Sequence, residues 1–132
     1  MLHPNQFAVN EAWIAFQLNR VPILTERDGP LNCLALMDAA SCYILGSELV
    51  AAEKAEPNLR ESRRLLDLGR SHKQQLPKTL FIAREQTADV LEREAGRQKI
   101  EVVRVPESEL TLLIGEARDL FHERFGANDG DA

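Results

Sequence analysis

Residues 31–52 constrain the fold most strongly and read LNCLALMDAASCYILGSELVAA. The two halves of this segment, residues 33–37 and 42–50, are apolar runs of strand length that are rich in Leu, Ile, Val and Tyr. Between these halves stand Asp38 and the small residues Ala39, Ala40 and Ser41, which allow the chain to reverse its direction. The pattern predicts a β-hairpin that places a carboxylate at the exit of a buried strand.

Size and composition indicate a folded chain with one core. A chain of 132 residues can bury roughly two-thirds of its unfolded surface in a single core, and it has no room for a second independent domain. The apolar fraction of 44% with 28% charged residues is typical of globular proteins and excludes a disordered chain. Aromatic residues make up only 5%, so the core should be mainly aliphatic.

The charge balance disfavours nucleic acid as a partner. The chain has 16 Lys and Arg against 21 Asp and Glu, whereas nucleic-acid binding usually requires an excess of basic residues to neutralise phosphates. A local basic cluster spans residues 60–73, but it is interleaved with Glu61 and Asp67. We interpret this cluster as the solvated face of a helix.

The remaining segments alternate between strand and helix patterns. Residues 11–19 alternate apolar and small or polar side chains, which favours a strand, although Asn10 could cap a short helix there instead. Residues 21–30 contain Pro22, Asp28, Gly29 and Pro30, which predict a loop. Further along the chain we expect a helix at 57–70, with a capping box formed by Asn58 and Glu61. The leucines of this helix that should face the core are Leu59, Leu65, Leu66 and Leu68. We then expect a strand at 78–83, a helix at 86–95, a strand at 100–105 and a final helix that begins at Pro106.

This order predicts an α/β fold with a mixed sheet. Residues 78–125 form a βαβ unit followed by a helix, so their two strands should be parallel neighbours, while the first half adds antiparallel strands to the same sheet. We predict an N-terminal arm at residues 1–10, of which residues 1–7 have no structure of their own, a single α/β domain at 11–126 and a flexible acidic tail at 127–132.

Antiparallel strands followed by alternating helices and parallel strands resemble the ribonuclease H-like fold, to which integrase and transposase cores belong. The hairpin resembles the opening of an integrase core, in which a strand ends in Asp and is followed by small residues, a Ser or Thr, an apolar run and a Gly. The corresponding residues here are Asp38, Ala39, Ser41, Tyr43, Ile44 and Gly46. The chain as a whole also resembles small bacterial proteins of undefined function.

The resemblance implies a set of metal ligands. In the family a first Asp joins a carboxylate at the end of a later strand and another on the last helix, and the cluster holds two Mg²⁺ or Mn²⁺ ions. Asp38 matches the first position, Glu85 lies where the second Asp would stand, and Glu116 is the best candidate on the last helix. For Asp38 itself, the capping of local amides is the simpler alternative to metal ligation.

Other catalytic signals are missing from the sequence. His3, His72 and His122 have no zinc-like spacing, and no dinucleotide, P-loop or GxSxG motif is present. We expect Cys33 and Cys42 to be reduced thiols, because they lie several rungs apart on the predicted hairpin. Glu85, Glu107 and Glu109 crowd the helix starts that follow the parallel strands, which disfavours an anionic ligand there.

These observations lead to two hypotheses of different classes. The favoured one is a non-catalytic ribonuclease H-like module without a cofactor that binds a protein partner or a second copy of itself, through the sheet edge and the region of Trp13. The alternative is a Mg²⁺- or Mn²⁺-dependent nuclease or strand-transfer enzyme that uses Asp38, Glu85 and Glu116. A third possibility is a small molecule bound at the strand ends near Arg84 and Pro106.

No apolar run is long enough to span a membrane, and residues 1–10 do not resemble a signal peptide, so we expect a cytoplasmic protein.

Overall fold

Strands and helices follow one another in the predicted order, with one additional short strand. The computed structural model describes residues 1–126. In chain order the elements are β1 (Ala12–Gln17), β2 (Ile23–Thr25), β3 (Gly29–Asp38), β4 (Ile44–Ala51), α1 (Leu59–Lys73), β5 (Thr79–Ala83), α2 (Asp89–Arg97), β6 (Glu101–Val105) and α3 (Thr111–Phe121). A 3₁₀ turn, Glu107–Leu110, precedes α3, and a π-helical turn, His122–Gly126, follows it. The tail predicted at residues 127–132 lies outside the described residues.

β1 is the central strand of one mixed sheet. It pairs antiparallel with β3 on one side and parallel with β5 on the other, and β6 continues the sheet in parallel beyond β5. β4 pairs antiparallel with the other edge of β3, while the short β2 pairs with the first residues of β3. This arrangement confirms the predicted α/β fold class, because the antiparallel strands come from the first half of the chain and the βαβ unit from the second.

The predicted hairpin is confirmed and is formed by β3 and β4. β3 is longer than the sequence pattern indicates, because it already begins at Gly29, whereas β4 begins two residues later than predicted and ends at Ala51. The turn contains Cys42 in the left-handed region at φ 58°, and the Cys42 amide donates to the Asp38 carbonyl oxygen at 2.8 Å. The structure therefore places Asp38 at a strand exit, as predicted.

The strand assignment for residues 11–19 is also confirmed, and the alternation of this strand explains the two cores. Successive side chains point to opposite faces, so Trp13 and Ala15 face α1 and α2, whereas Ile14 and Phe16 face α3. All four residues are buried. Because helices cover both faces, β1 lacks a solvent face.

Helix α1 lies directly on the sheet because Gly69 has no side chain. A Cβ atom at this position would lie 2.8 Å from the ring of Trp13 and 2.7 Å from Leu36. The predicted capping box is present, since Asn58 and Glu61 each accept a hydrogen bond from the other's main-chain amide. Of the four leucines expected to face the core, Leu65 and Leu66 are buried, whereas Leu59 and Leu68 are partly exposed.

Two sequence predictions about the first 30 residues are wrong. The N-terminal segment is not an unstructured arm: it contains a 3₁₀ turn at Pro4–Gln6, and the ring of Phe7 packs edge-on against that of Phe81 with centroids 5.7 Å apart. Leu2 also packs on this core, and its amide donates to the Glu109 carbonyl oxygen at 2.9 Å. The segment at 21–30 is not only a loop, because β2 forms within it.

No helix within residues 1–126 is both long enough and apolar enough to cross a lipid bilayer.

Candidate functional site

Asp38 is fully buried, and its carboxylate accepts hydrogen bonds from the turn that follows it and from the segment before β1. Its Oδ1 accepts a hydrogen bond from the Asn10 amide at 2.7 Å. Its Oδ2 accepts from both the amide and the hydroxyl of Ser41, at 2.9 and 2.7 Å. The carboxylate thus ties the hairpin turn to the segment before β1, which is the amide-capping role that the sequence left open for it.

The second predicted ligand, Glu85, lies at the opposite end of the sheet. Trp13 pairs with Asp38 on one side and with Leu80 on the other, so Asp38 is level with the start of β5. Glu85 follows Leu80 by five residues, which corresponds to roughly 16 Å of extended chain. Metal ions that share ligands require carboxylates within a few ångströms, and the structure does not bring Asp38 and Glu85 that close.

The last predicted ligand, Glu116, lies near the hairpin turn. It is exposed on α3 and lines a groove of about 810 Å³ together with Ser41 and Cys42 of the turn. The groove is otherwise mainly apolar, and its remaining lining residues are Leu18, Ile44, Leu113, Ala117, Leu120, Phe121, Glu123 and Arg124. Within the described chain, no three His, Cys, Asp or Glu side chains come together in a way that could hold a metal ion.

Cys42 contributes a thiol to the lining of this groove. Both Cys42 and Cys33 are free thiols, as the sequence predicts. Burial raises the pKa of Cys42, and the negative charges of Glu116 and Asp38 raise it further. Burial also raises the pKa of Cys33. Both thiols are therefore protonated at neutral pH and are weak nucleophiles.

At the carboxyl ends of the parallel strands, where open α/β sheets usually bind ligands, the structure places Arg118. Its Nε donates to the main-chain oxygen of Gln17 at the end of β1, and its Nη2 donates to the Glu107 carboxylate, both at 2.9 Å. The guanidinium also lies over the Phe16 ring, 5.9 Å from its centroid. Only 18% of the Arg118 side chain is exposed.

Glu85 belongs to the same network as Arg118. Its carboxylate accepts a hydrogen bond from the Glu107 amide at 3.0 Å, next to the ion pair between Glu107 and Arg118. A partly buried cation therefore stands at the end of β1, a strand that reads AWIAFQ and contains no acidic residue. At this edge of the sheet the structure has the ion pair between Arg118 and Glu107 in place of an open cluster of carboxylates.

Glu94 is a buried carboxylate that the sequence analysis did not identify. Only 3% of it is exposed, and it accepts hydrogen bonds from Arg63 of α1 and from Arg97 and Gln98. These bonds, the one from Arg97 most of all, lower the pKa of Glu94 to about 2. The spacing Glu94, Arg97, Gln98 along one helical turn could have revealed part of this cluster, but the contact with Arg63 depends on helix packing. The cluster joins α1 to α2, because Arg63 of α1 donates to the carboxylate of Glu94 in α2.

The predicted contact region around Trp13 is not available to a partner. Trp13 is fully buried, and its Nε1 donates to Asn10 Oδ1 at 2.7 Å. The prediction is wrong because Trp13 lies on the central strand, where α1 and α2 cover the face to which it points. Arg84 and Gln86, at the strand ends considered for a small molecule, line only a shallow depression with Arg104.

Comparisons with known proteins bear on the fold alone. The structure is similar to a chain of the simian T-cell lymphotropic virus intasome, which was determined by cryo-electron microscopy in complex with PP2A regulatory subunit B56 gamma. The TM-score is 0.52 at 13% sequence identity. The two chains share a fold. The match covers 98% of the present chain but only 44% of the intasome chain. No protein-family model matches the sequence, and no curated protein matches it.

Proposed function

We infer that the chain is a non-catalytic ribonuclease H-like module that acts through protein–protein contacts. The observation that carries this proposal is the position of Arg118 at the carboxyl ends of the parallel strands. In the fold that the chain resembles, this edge must gather carboxylates around metal ions. Here the first strand has no acidic residue, and a guanidinium bound to Gln17 and Glu107 lies at its end.

The placement of Asp38 supports the same proposal. The resemblance assigns the first metal ligand to the first of the antiparallel strands, whereas Asp38 ends β3, which is the second of the strands that build the centre of the sheet. Both of its carboxylate oxygens accept hydrogen bonds from Asn10 or Ser41. A carboxylate bound in this way contributes to stability, and a divalent cation would have to displace those donors.

Charge also favours a protein partner over nucleic acid. The net charge is −5, and the arginines of α1 that could form a basic track are partly neutralised. Arg63 forms an ion pair with Glu94, and Arg64 forms one with Glu48. Phosphate binding would have to compete with these ion pairs and with the overall negative field.

An assay for nucleic-acid cleavage tests the proposal. Purified protein is incubated with single- and double-stranded DNA and RNA in Mg²⁺ or Mn²⁺, beside the variants Glu85→Gln and Glu116→Gln. Both glutamates are exposed, so neither variant should disturb the core. We expect no cleavage that distinguishes wild type from the variants. Metal-dependent cleavage that is lost in either variant would replace this proposal with the nuclease alternative based on Asp38, Glu85 and Glu116.

A further inference from the structure

The outer edge of β4 has main-chain groups that no strand in residues 1–126 pairs with. Along an antiparallel strand, residues whose main-chain groups bond to the neighbouring strand alternate with residues whose groups point away from it. The Ala52 amide donates to the Pro30 carbonyl oxygen, so within β4 the groups of Gly46, Glu48 and Val50 bond to β3. Those of Ser47 and Leu49 consequently point away from the sheet.

This edge lacks the features that normally prevent strands from pairing between molecules. Such edges are usually short or carry Lys, Pro or a bulge. β4 is eight residues long, and its register irregularity lies near its first residues, which leaves the segment from Gly46 to Ala51 regular. Its single charged residue, Glu48, is buried and forms an ion pair with Arg64 at 2.9 Å. Leu49 is 53% exposed.

The opposite edge of the sheet is better protected. β6 has only five residues, carries the exposed Glu101 at its start and is followed directly by Pro106. Arg104 lies within it and forms an ion pair with Glu92. The two edges of the sheet therefore differ, and β4 is the one that can accept another strand.

The helix above β4 leaves this edge accessible. Gly69 of α1 lies against Trp13 of β1 and Leu36 of β3, and the same helix also packs on β4, so it covers one face of that strand. The outward main-chain groups of Ser47 and Leu49 lie in the plane of the sheet, where the helix does not pair with them. Leu68 covers Gly46 of β4 and remains 38% exposed, which adds apolar surface beside the open edge. A strand that paired with β4 would cover this surface.

We propose that two copies of the chain pair through β4, antiparallel and about a two-fold axis, so that the two sheets become continuous. This proposal rests on the proposed function and names the partner. A charged peptide would find no exposed countercharge along β4, whereas the complement of a neutral apolar edge is another neutral apolar strand. β4 is itself such a strand, and a two-fold interface uses the same surface on both copies.

Charge also selects the register of the pairing. A ladder centred on Leu49 sets the two Leu49 side chains opposite each other and places Glu48 opposite Val50 of the second copy. A ladder centred on Glu48 would instead set two carboxylates side by side, which is unfavourable. A ladder centred on Ser47 would pair Leu49 with Leu45, where β4 is irregular, so the proposed dimer is centred on Leu49.

Sedimentation equilibrium of the full chain across a range of protein concentrations tests the proposal, with Leu49→Lys and Leu120→Lys compared with wild type. Both leucines are exposed, so each substitution adds the same charge without burying it. Leu120 lines the groove beside α3, which makes it the matched control on the other apolar surface. We expect a dimer for wild type and Leu120→Lys, and a monomer for Leu49→Lys, in which two ammonium groups would meet at the axis.

Amide hydrogen exchange provides a second measurement on the same samples. The Ser47 and Leu49 amides should exchange more slowly in the dimer than in Leu49→Lys, while the amides within β1 should not differ. A wild-type monomer at roughly 0.1 mM, where weak specific dimers still form, would overturn the self-pairing, as would a Leu49→Lys dimer. Neither result would affect the non-catalytic proposal, which metal-dependent cleavage of nucleic acid would overturn.

Discussion

Gly69→Ala should destabilise the protein even though alanine is the better helix former. The substitution lies inside α1, where replacing Gly by Ala stabilises a helix by up to about 1 kcal/mol. The added Cβ would lie 2.7 Å from Leu36 Cδ2 and 2.8 Å from two ring atoms of Trp13. Leu36 and Trp13 are fully buried, and overpacking of such a site costs about 1–3 kcal/mol. Because an indole ring cannot yield as a flexible side chain does, we expect a net loss of about 1–2 kcal/mol.

Gly115→Ala is the matched control for this prediction. Gly115 lies within α3, and a Cβ atom there would meet no other atom within 4 Å. The same chemical change should therefore raise the free energy of unfolding by about 0.5–1 kcal/mol.

Urea denaturation followed by circular dichroism measures both free energies, and equal m-values would confirm that the unfolded states are comparable. If Gly69→Ala were as stable as Gly115→Ala, α1 could not be seated on Trp13 as described.

Two further predictions concern buried carboxylates. Glu94→Gln should lower the free energy of unfolding by about 1.5–3 kcal/mol at pH 7, because the bonds from Arg63 and Arg97 lose the negative charge of their acceptor and one of the two acceptor oxygens becomes an NH2 group. The folded-state pKa of Glu94 is depressed to about 2 from 4.5, so its contribution is present above pH 4.5 and should disappear as the pH falls towards 2. Urea denaturation at several pH values tests this, and a wild-type–variant difference that did not change with pH would contradict it. Asp38→Asn should cost about 1–3 kcal/mol, because Asn10 and Ser41 donate to different carboxylate oxygens and one of these becomes an NH2 group that cannot accept. Ser41→Ala removes the hydroxyl, which donates to Asp38 and accepts from the Tyr43 amide, but keeps the main-chain bonds to Asp38, so it should cost less in the same denaturation experiment. Equal losses would argue against Asp38 as the organiser of the turn.

Local sequence patterns were sufficient to predict much of the fold. The hairpin, the capping box at Asn58 and the alternation of strand and helix in the second half depend on neighbours along the chain, and such patterns are visible in a sequence. The mixed sheet then follows from the preference for right-handed βαβ connections. By contrast, the three residues of β2 form a strand only because they pair with the start of β3.

The errors at Trp13 and in the N-terminal segment have a common physical cause. Alternation along β1 suggests one buried and one exposed face, but the strand is central and helices cover both of its faces. Phe7 is likewise ordered by its contact with Phe81, which lies far along the chain. Which strand occupies the centre of a sheet is decided by contacts between distant residues, and a single sequence does not contain that information.

The candidate site was the least predictable part of the structure. Asp38 was correctly placed at a strand exit, yet its distance from Glu85 depends on the sheet order. Arg118 carries the proposed function and appeared in the sequence as one of many charges on an amphipathic helix. Its partner, the Gln17 carbonyl oxygen, lies 101 residues earlier, and no local pattern indicates that contact.

A calorimetric titration of the wild-type protein with Mn²⁺, beside Glu85→Gln and Glu116→Gln, tests the central claim most directly. The claim is that Arg118 and its ion pair with Glu107 have taken the place of a metal centre. We expect no saturable binding heat at millimolar Mn²⁺ for any of the three proteins. Saturable binding to wild type that is weakened in either variant would contradict it, because those carboxylates would then share a metal ion.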